Sequence, residues 1–137
     1  MRFAAPLAGA VLVTAGAAQE PTAKPPVLSP GRTFAEQEGA AIYAEVCAAC
    51  HQPDAKGASG AGAYPALAGN SELISAGYVL QVLFEGLRGM PPVGEMMSDQ
   101  QVADVVNYVR SHFGNDYRDR VSVEAARAAR PRSATER

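Results

Sequence analysis

The sequence predicts an all-α domain. Two segments begin with a capping box, in which Ser or Thr is followed three residues later by Glu or Gln: Thr33 with Glu36, and Ser98 with Gln101. Apolar residues at three- and four-residue spacing follow each box, which is the period of an α-helix. A third amphipathic stretch lies between them at residues 78–87, and no βαβ pattern is visible.

The distribution of charge limits the kind of partner. The chain has 137 residues, enough for one small domain. Residues 32–110 carry four basic and nine acidic side chains, whereas residues 115–137 carry six arginines and four acids. Because the part expected to fold is acidic, the sequence argues against a nucleic-acid binder, which needs a basic face.

The N-terminal residues 1–18 are expected to be an export signal. A positive charge precedes an apolar run, residues 3–13, that is too short for a confident membrane span. Small residues permit cleavage after Ala17 or Ala18, although an uncleaved N-terminal anchor remains an alternative. We therefore expect a periplasmic protein without stable membrane insertion. A Pro-rich linker is predicted at residues 19–31, ahead of a domain at 32–114.

The first predicted helix, residues 34–50, leads into the sequence Cys47-Ala-Ala-Cys50-His51. This C-x-x-C-H pattern is the attachment signature of a c-type haem. Two thiols on one helical turn can add to both vinyl groups of one porphyrin, and the histidine can then reach the iron from the same side. The predicted cofactor is one covalently bound haem c, attached through Cys47 and Cys50 and ligated by His51.

Other interpretations of the two cysteines remain open. A thioredoxin-like redox pair would need a βαβ context, and a zinc site would have to recruit His112 because the chain has no further cysteine. A disulfide closing a short loop is the third alternative. The neighbouring residues favour the haem.

The segment between His51 and Asn70 is rich in glycine, proline and alanine and shows no period. Residues 56–63 are expected to form a mobile surface loop. Pro65 has a backbone carbonyl that can hold the second ring nitrogen of the histidine, and Leu67 can cover the ring.

A stiff segment follows the amphipathic stretch that contains Leu83. It reads Met90-Pro91-Pro92-Val93, where two prolines bar a helix. A methionine at its head can be held over the open haem face, and a thioether is a common partner of histidine in electron-transfer cytochromes. Met90 is therefore the favoured second iron ligand. The other candidates that remain are Met96, Met97 and His112.

The last predicted helix starts at the second capping box and runs to about Phe113, with Gly114 as its stop. An Arg/Ala-rich tail follows at residues 115–137, in which residues 122–130 are a candidate short helix. Two alternatives remain open for this tail. It docks on a partner through its charges, or it is disordered and has no role.

With these pieces placed, the chain resembles class I c-type cytochromes over about residues 33–114. The resemblance implies the cytochrome c fold, with helices packed around one covalently attached haem and the first and last helices crossing. It also implies that the Pro65 carbonyl accepts a hydrogen bond from the proximal histidine and that Met90 is the distal ligand. The motifs that carry it are Cys47-Ala-Ala-Cys-His51, Tyr64-Pro65-Ala66-Leu67, Gly89-Met90-Pro91-Pro92, Asn107-Tyr108-Val109-Arg110 and the crossing residues Gly39, Tyr43, Val105 and Tyr108.

Within that family the chain is similar to small monohaem cytochromes that accept electrons from periplasmic dehydrogenases. We expect an electron carrier that passes electrons to a terminal oxidase or other acceptor, and not an enzyme, because no catalytic constellation is visible. Val93 replaces the aromatic residue common in similar sequences, so a haem-based gas sensor remains a rival. A subunit docked permanently on one enzyme is the third class. The expected haem contacts are Tyr64, Pro65, Leu67, Leu83 and Val93.

Overall fold

The structure is a computed structural model, and it describes residues 33–60 and 62–132. The predicted export signal at 1–18, the linker at 19–31 and the last residues of the tail, 133–137, lie outside the described residues. Within the described part, four helices follow one another: α1 (residues 39–51), α2 (Ala76–Glu85), α3 (Asp99–Ser111) and α4 (Val123–Ala129). None of these helices is long and apolar enough to cross a membrane.

A small antiparallel sheet accompanies the helices. Strands β1 (Ala58–Ser59) and β2 (Ala63–Tyr64) pair through Ala58 with Tyr64 and through Ser59 with Ala63. The predicted all-α class is therefore confirmed for the helical framework, but it misses this sheet, which spans most of the predicted surface loop at 56–63. Strands of two residues are too short to show the alternation by which a strand is recognised.

Helix α1 begins at Gly39, later than predicted. The side-chain amide of Gln101 donates hydrogen bonds to the carbonyl oxygens of Phe34, at 3.0 Å, and Glu36, at 2.6 Å. The predicted capping box that starts at Thr33 is wrong, because the backbone of this segment is bonded to Gln101 instead of forming a helical turn.

The interior of α1 is not a uniform α-helix. An α-helical turn, Gly39–Ile42, is followed by a π-helical segment, Tyr43–Cys47, and a final α-helical turn, Ala48–His51. Wider π turns are often found at functional sites. Here the wide segment carries the first cysteine of the C-x-x-C-H pattern.

Local sequence signals place the other helices well. Asn70 caps the 3₁₀ turn Ser71–Ile74, and the Ser75 hydroxyl caps α2 by accepting from the backbone of its first turn. The capping box that starts at Ser98 is fully formed at α3. This helix ends at Ser111, about two residues earlier than predicted, because the backbone of His112 is extended, with φ −123° and ψ 177°.

Helices α1 and α3 cross in direct contact at Gly39. A Cβ atom at Gly39 would overlap the carbonyl oxygen of Asp104 and lie 2.8 Å from the Cβ of Tyr108. The rings of Tyr43 and Tyr108 meet at the same crossing, with centroids 5.8 Å apart. The predicted contact between the first helix and the last helix of the 32–114 domain is therefore confirmed.

The hydrophobic core lies between α1, α2, α3 and α4. Helix α3 contributes four valines, and α2 contributes Leu80, Leu83 and Phe84. The segment after α3 adds two buried apolar side chains of its own, Val121 and Ala126.

The predicted tail is packed against the domain as far as Arg130. The side chain of Asn107 pairs with both backbone groups of Val121, donating to its carbonyl at 2.9 Å and accepting from its amide at 2.8 Å. Residues 115–130 are therefore ordered against the domain, and docking of this segment on a partner stays a prediction. The sequence suggested only the short helix within them, because the contacts that hold this segment are made by residues far away in the chain.

Arg110 explains why this segment folds back. Its guanidinium is fully buried and donates to the carbonyl oxygens of Leu73, at 2.8 Å, and Ile74, at 3.1 Å, and to the carboxylate of Asp119, at 2.8 Å. A buried charge is costly unless it is paired and hydrogen-bonded. The chain after α3 supplies the anion that Arg110 requires.

We predict that Gly39→Ala lowers the free energy of unfolding by about 1–3 kcal/mol, because the added methyl group forces α1 and α3 apart. Chemical denaturation of the haem-loaded protein measures the change. The control is Gly77→Ala in α2, where an added Cβ meets no atom within 4 Å. Equal stabilities of the two variants would contradict the close crossing.

We predict that ending the chain after Asp116 lowers the free energy of unfolding by about 3 kcal/mol or more. Burial of Val121 alone contributes about 1.5–3 kcal/mol, and the hydrogen bonds of Asn107 are lost with it. A chain ending after Arg132 keeps all of these contacts and is the control. A thermal or urea unfolding curve that is the same for both truncations would refute the packed arrangement.

Candidate haem site

The C-terminal end of α1 carries the three residues predicted to attach and ligate haem, with Cys47 closing the π-helical segment and the other two in the last α-helical turn. Cys47 and Cys50 are free thiols, partly buried, and His51 is only 8% exposed. The helix ends there because Gln52 has a left-handed backbone angle, φ 68°. The hydroxyl of Tyr43 donates to the carbonyl oxygen of Gln52 at 2.6 Å and fixes this end of the helix to its own middle.

The ring of His51 is oriented by a backbone carbonyl. Its Nδ1 lies 2.9 Å from the carbonyl oxygen of Pro65, the contact expected from the sequence. A carbonyl oxygen only accepts, so Nδ1 carries the proton in the neutral ring. The lone pair of Nε2 is then available to a metal, and the ring orientation is set before any metal binds.

The position of the Pro65 carbonyl is itself fixed by close backbone contacts. Gly57 donates to the carbonyl oxygen of His51 at 2.9 Å. A Cβ atom at Gly57 would overlap the carbonyl oxygen of Tyr64 and lie 2.8 Å from that of Pro65. Gly57 also has φ 68°, so the absence of a side chain is needed both for its conformation and for its contacts.

Asn115 joins this loop to the end of α3. Its amide donates to the carbonyl oxygens of Leu67 and Val109, each at 2.9 Å, and its side-chain oxygen accepts from the backbone amide of Asn70 at 3.0 Å. No role was predicted for this residue from the sequence. Its only signal was its position directly after Gly114, the predicted stop of the last helix.

Met90 stands at the head of a rigid turn. Its backbone exchanges two hydrogen bonds with Leu87, at 2.9 and 3.1 Å, directly after α2. Gly86 has φ 73°, and a Cβ atom there would lie 2.6 Å from the carbonyl oxygen of Met90. The methionine backbone is therefore fixed on one side by α2 and on the other by two prolines.

The alternative axial ligands lie in less suitable surroundings. Met97 is 3% exposed and belongs to the hydrophobic core, whereas Met96 is 37% exposed. The ring of His112 stacks on Tyr108, with centroids 4.1 Å apart, and its Nδ1 lies 2.9 Å from the Tyr108 carbonyl oxygen. Met90 is partly buried and packs against the core, so it remains the best candidate.

The other predicted haem contacts differ in exposure. Leu67 and Val93 are partly buried at the edge of the core, and Leu83 is buried in it. Tyr64 is 44% exposed, next to the exposed Pro65. Contact between these five side chains and haem stays a prediction.

The competing interpretations of the cysteine pair find little support. Burial, and secondarily the neighbouring Cys50, raises the pKa of the Cys47 thiol to about 11, whereas reactive redox cysteines have lowered pKa values. Within residues 33–60 and 62–132, no group of three or more His, Cys, Asp or Glu side chains could hold a metal ion as a zinc site would. Both cysteines also carry free thiols rather than a disulfide.

The donor set fits a c-type haem. Two thiols on one helix end could hold the porphyrin, His51 offers an imidazole nitrogen whose partner nitrogen is already bonded, and Met90 offers a thioether on a fixed backbone. Imidazole and thioether are the two ligands found in many cytochromes c.

Comparison with known proteins agrees with this chemistry. A family model described as cytochrome c oxidase, cbb3-type, subunit III, matches residues 34–109. The chain belongs to this family of c-type cytochromes. Membership implies binding of haem c and supports a role in electron transfer.

Three relatives of this cytochrome illustrate the family. It is 38% identical over 93 residues to the fructose dehydrogenase cytochrome subunit of Gluconobacter japonicus, covering 57% of this chain and 19% of that protein. It is 37% identical over 91 residues to the gluconate 2-dehydrogenase cytochrome c subunit of Pantoea cypripedii, covering 58% and 21%. It is 33% identical over 96 residues to cytochrome c-552 of Thermus thermophilus, covering 58% and 71%. The chain thus spans about a fifth of the two dehydrogenase subunits.

We predict that Gly57→Ala weakens the hydrogen bond between His51 and Pro65, because the methyl group displaces the Tyr64 and Pro65 carbonyls. In the haem-loaded cytochrome, proton NMR should show faster exchange of the His51 Nδ1 proton. Gly69→Ala is the matched control, since Gly69 has a similar left-handed φ of 58° but open space around its Cβ position. Equally slow exchange in both variants would contradict the proposal that Gly57 keeps the Pro65 carbonyl in position for His51.

Proposed function

We propose that this cytochrome is an exported, periplasmic electron carrier with one haem c. In this proposal Cys47 and Cys50 form the covalent attachment, and His51 and Met90 are the axial ligands. The observation that carries the proposal is the hydrogen bond between His51 Nδ1 and the Pro65 carbonyl. It presents the free ring nitrogen at the end of the helix that also carries both thiols.

The bound haem would supply a one-electron couple, whose reduction potential is raised by methionine ligation. The chain's own contribution is to hold both proposed axial ligands in position before haem binds. His51 is oriented through Pro65, and the Met90 backbone is held by Leu87. Ligands locked by packing and hydrogen bonds have little freedom to leave the metal.

A dehydrogenase is the proposed electron donor, and a terminal oxidase or other acceptor the proposed recipient. Two relatives are named as cytochrome subunits of dehydrogenases, which supports this direction of electron flow. The acidic balance of residues 32–110 favours weak docking on a basic surface, with an attraction that salt screens. Export is proposed from the predicted signal at residues 1–18, because haem is attached to such motifs outside the cytoplasm.

A haem-based gas sensor is the alternative function, suggested by Val93 in place of an aromatic residue. In the structure Val93 is partly buried against the core, and its amide donates to the Pro91 carbonyl at 2.9 Å. The segment after Met90 is therefore hydrogen-bonded and packed although it lacks the aromatic residue. This favours a methionine that stays bound, as an electron carrier requires.

We predict that Met90→Ala abolishes the weak near-infrared sulfur-to-iron band while haem stays attached through the cysteines. The ferrous variant should then bind carbon monoxide, and the ferrous parent should not. Absorption spectra of the purified, haem-loaded proteins measure both effects.

Met96→Ala is the control for this test, since Met96 is exposed and should leave the spectra unchanged. Loss of the band in Met97→Ala with retention in Met90→Ala would show that the ligand assignment is wrong. Binding of carbon monoxide by the parent would favour the sensor over the carrier.

A further inference from the structure

Arg130, at the end of α4, reaches across to the segment that follows Met90. Its guanidinium donates to the carbonyl oxygens of Gly94, at 3.2 Å, and Met97, at 2.9 Å. The same group is paired with the carboxylate of Asp99, at 2.8 Å. One side chain thus bonds to a residue within the 3₁₀ turn Val93–Met96, to the residue that follows this turn and to the first residue of α3.

This turn is connected to Met90 by a short, stiff link. Only Pro91, Pro92 and Val93 separate Met90 from Gly94, and the two prolines have restricted backbone angles. The Gly94 carbonyl also accepts from the amide of Met97 at 3.2 Å, so it anchors the turn itself. A shift of Gly94 would therefore be passed on to the methionine backbone.

Phe84 completes the contact. The Arg130 guanidinium lies over its ring, 4.8 Å from the centroid. A Cβ atom at Gly94 would lie only 2.8 Å from the ring carbon Cδ1 of Phe84. The turn is thus enclosed between α2 and the Arg130 side chain.

We propose that Arg130 is a positioning residue that keeps Met90 on the iron. It fixes the turn Val93–Met96 and so restrains the segment between α2 and α3 from opening. The inference rests on the proposed His51–Met90 ligation, and it gives the folded-back segment after α3 a role at the haem. Arg130 itself need not touch the haem.

Imidazole measures the opening of this segment. Added imidazole can ligate ferric iron only in molecules whose methionine has left. Its apparent affinity therefore scales with the fraction of open molecules. Optical titration with imidazole reports this fraction without a redox partner.

The test compares Arg130→Gln with Arg127→Gln in the haem-loaded full chain. Arg127 lies in α4 and pairs with the same Asp99, but its side chain is 71% exposed and, among the residues that the structure describes, it makes no hydrogen bond to the turn. We expect Arg130→Gln to bind imidazole about tenfold more tightly than the parent. Arg127→Gln should change the affinity by less than about twofold, as for an exposed ion pair.

Arg130→Lys is a second variant that retains the charge and is less disruptive to folding. An ammonium group lacks the planar fork that reaches two carbonyls and a carboxylate together. We expect this variant to bind imidazole more tightly than the parent as well. Parental affinity in Arg130→Lys would show that charge alone suffices and would overturn the proposed role of the forked contact.

Two further outcomes would overturn the inference. Parental imidazole affinity in Arg130→Gln would show that Arg130 does not restrain the methionine, and an equal increase in Arg127→Gln would assign the effect to the Asp99 ion pair.

The near-infrared band of the parent separates these failures from failure of the ligand assignment. A parent without the band refutes methionine ligation itself, and the inference falls with it. A parent with the band and an unaffected Arg130→Gln refutes the inference alone.

Discussion

The contact of Gly39 with α3 is the constraint on which the site depends. Because Gly39 has no side chain, α1 lies directly on the backbone of Asp104 and on Tyr108. That crossing sets the direction of α1, and the C-x-x-C-H pattern lies at its far end. Asn115, just beyond α3, then holds the loop that contains Pro65. The two structures that position His51, the helix that carries it and the loop that contains Pro65, therefore both depend on contacts with α3 or the residues just after it.

Helix α3 organises the molecule through polar side chains as much as through its valines. Gln101, Asn107 and Arg110 are all buried, and each bonds to backbone groups of a distant segment. These backbone groups lie in irregular segments or, for the Leu73 carbonyl, in a short 3₁₀ turn, and they would otherwise be unsatisfied. Since leaving a buried donor or acceptor unpaired costs about 1–3 kcal/mol, each of these side chains specifies one position of its segment. The irregular chain is thereby held in one conformation.

The sequence predicted what short-range chemistry determines. The Ser98 box formed as predicted because its two partners lie only three residues apart. Thr33 begins an equally good local pattern that does not form, because Gln101, more than 60 residues away, captures the carbonyls needed for the helical turn. At the site, the bond of His51 to the Pro65 carbonyl was predictable from a motif. The bonds of Asn115 and Arg130 join distant segments and leave no periodic signal.

The arginines after α3 show why a count of charges did not predict their role. In sequence they look like a basic tail on an acidic body, suited to a partner. In the structure Asp99 pairs with both Arg127 and Arg130, and hydrogen bonds from these arginines lower its pKa. Salt weakens exposed ion pairs. The hydrogen bonds of Arg130 to neutral carbonyls are partly buried, so their strength depends less on the salt concentration. Salt should therefore weaken the proposed docking of the acidic surface more than it weakens this internal contact.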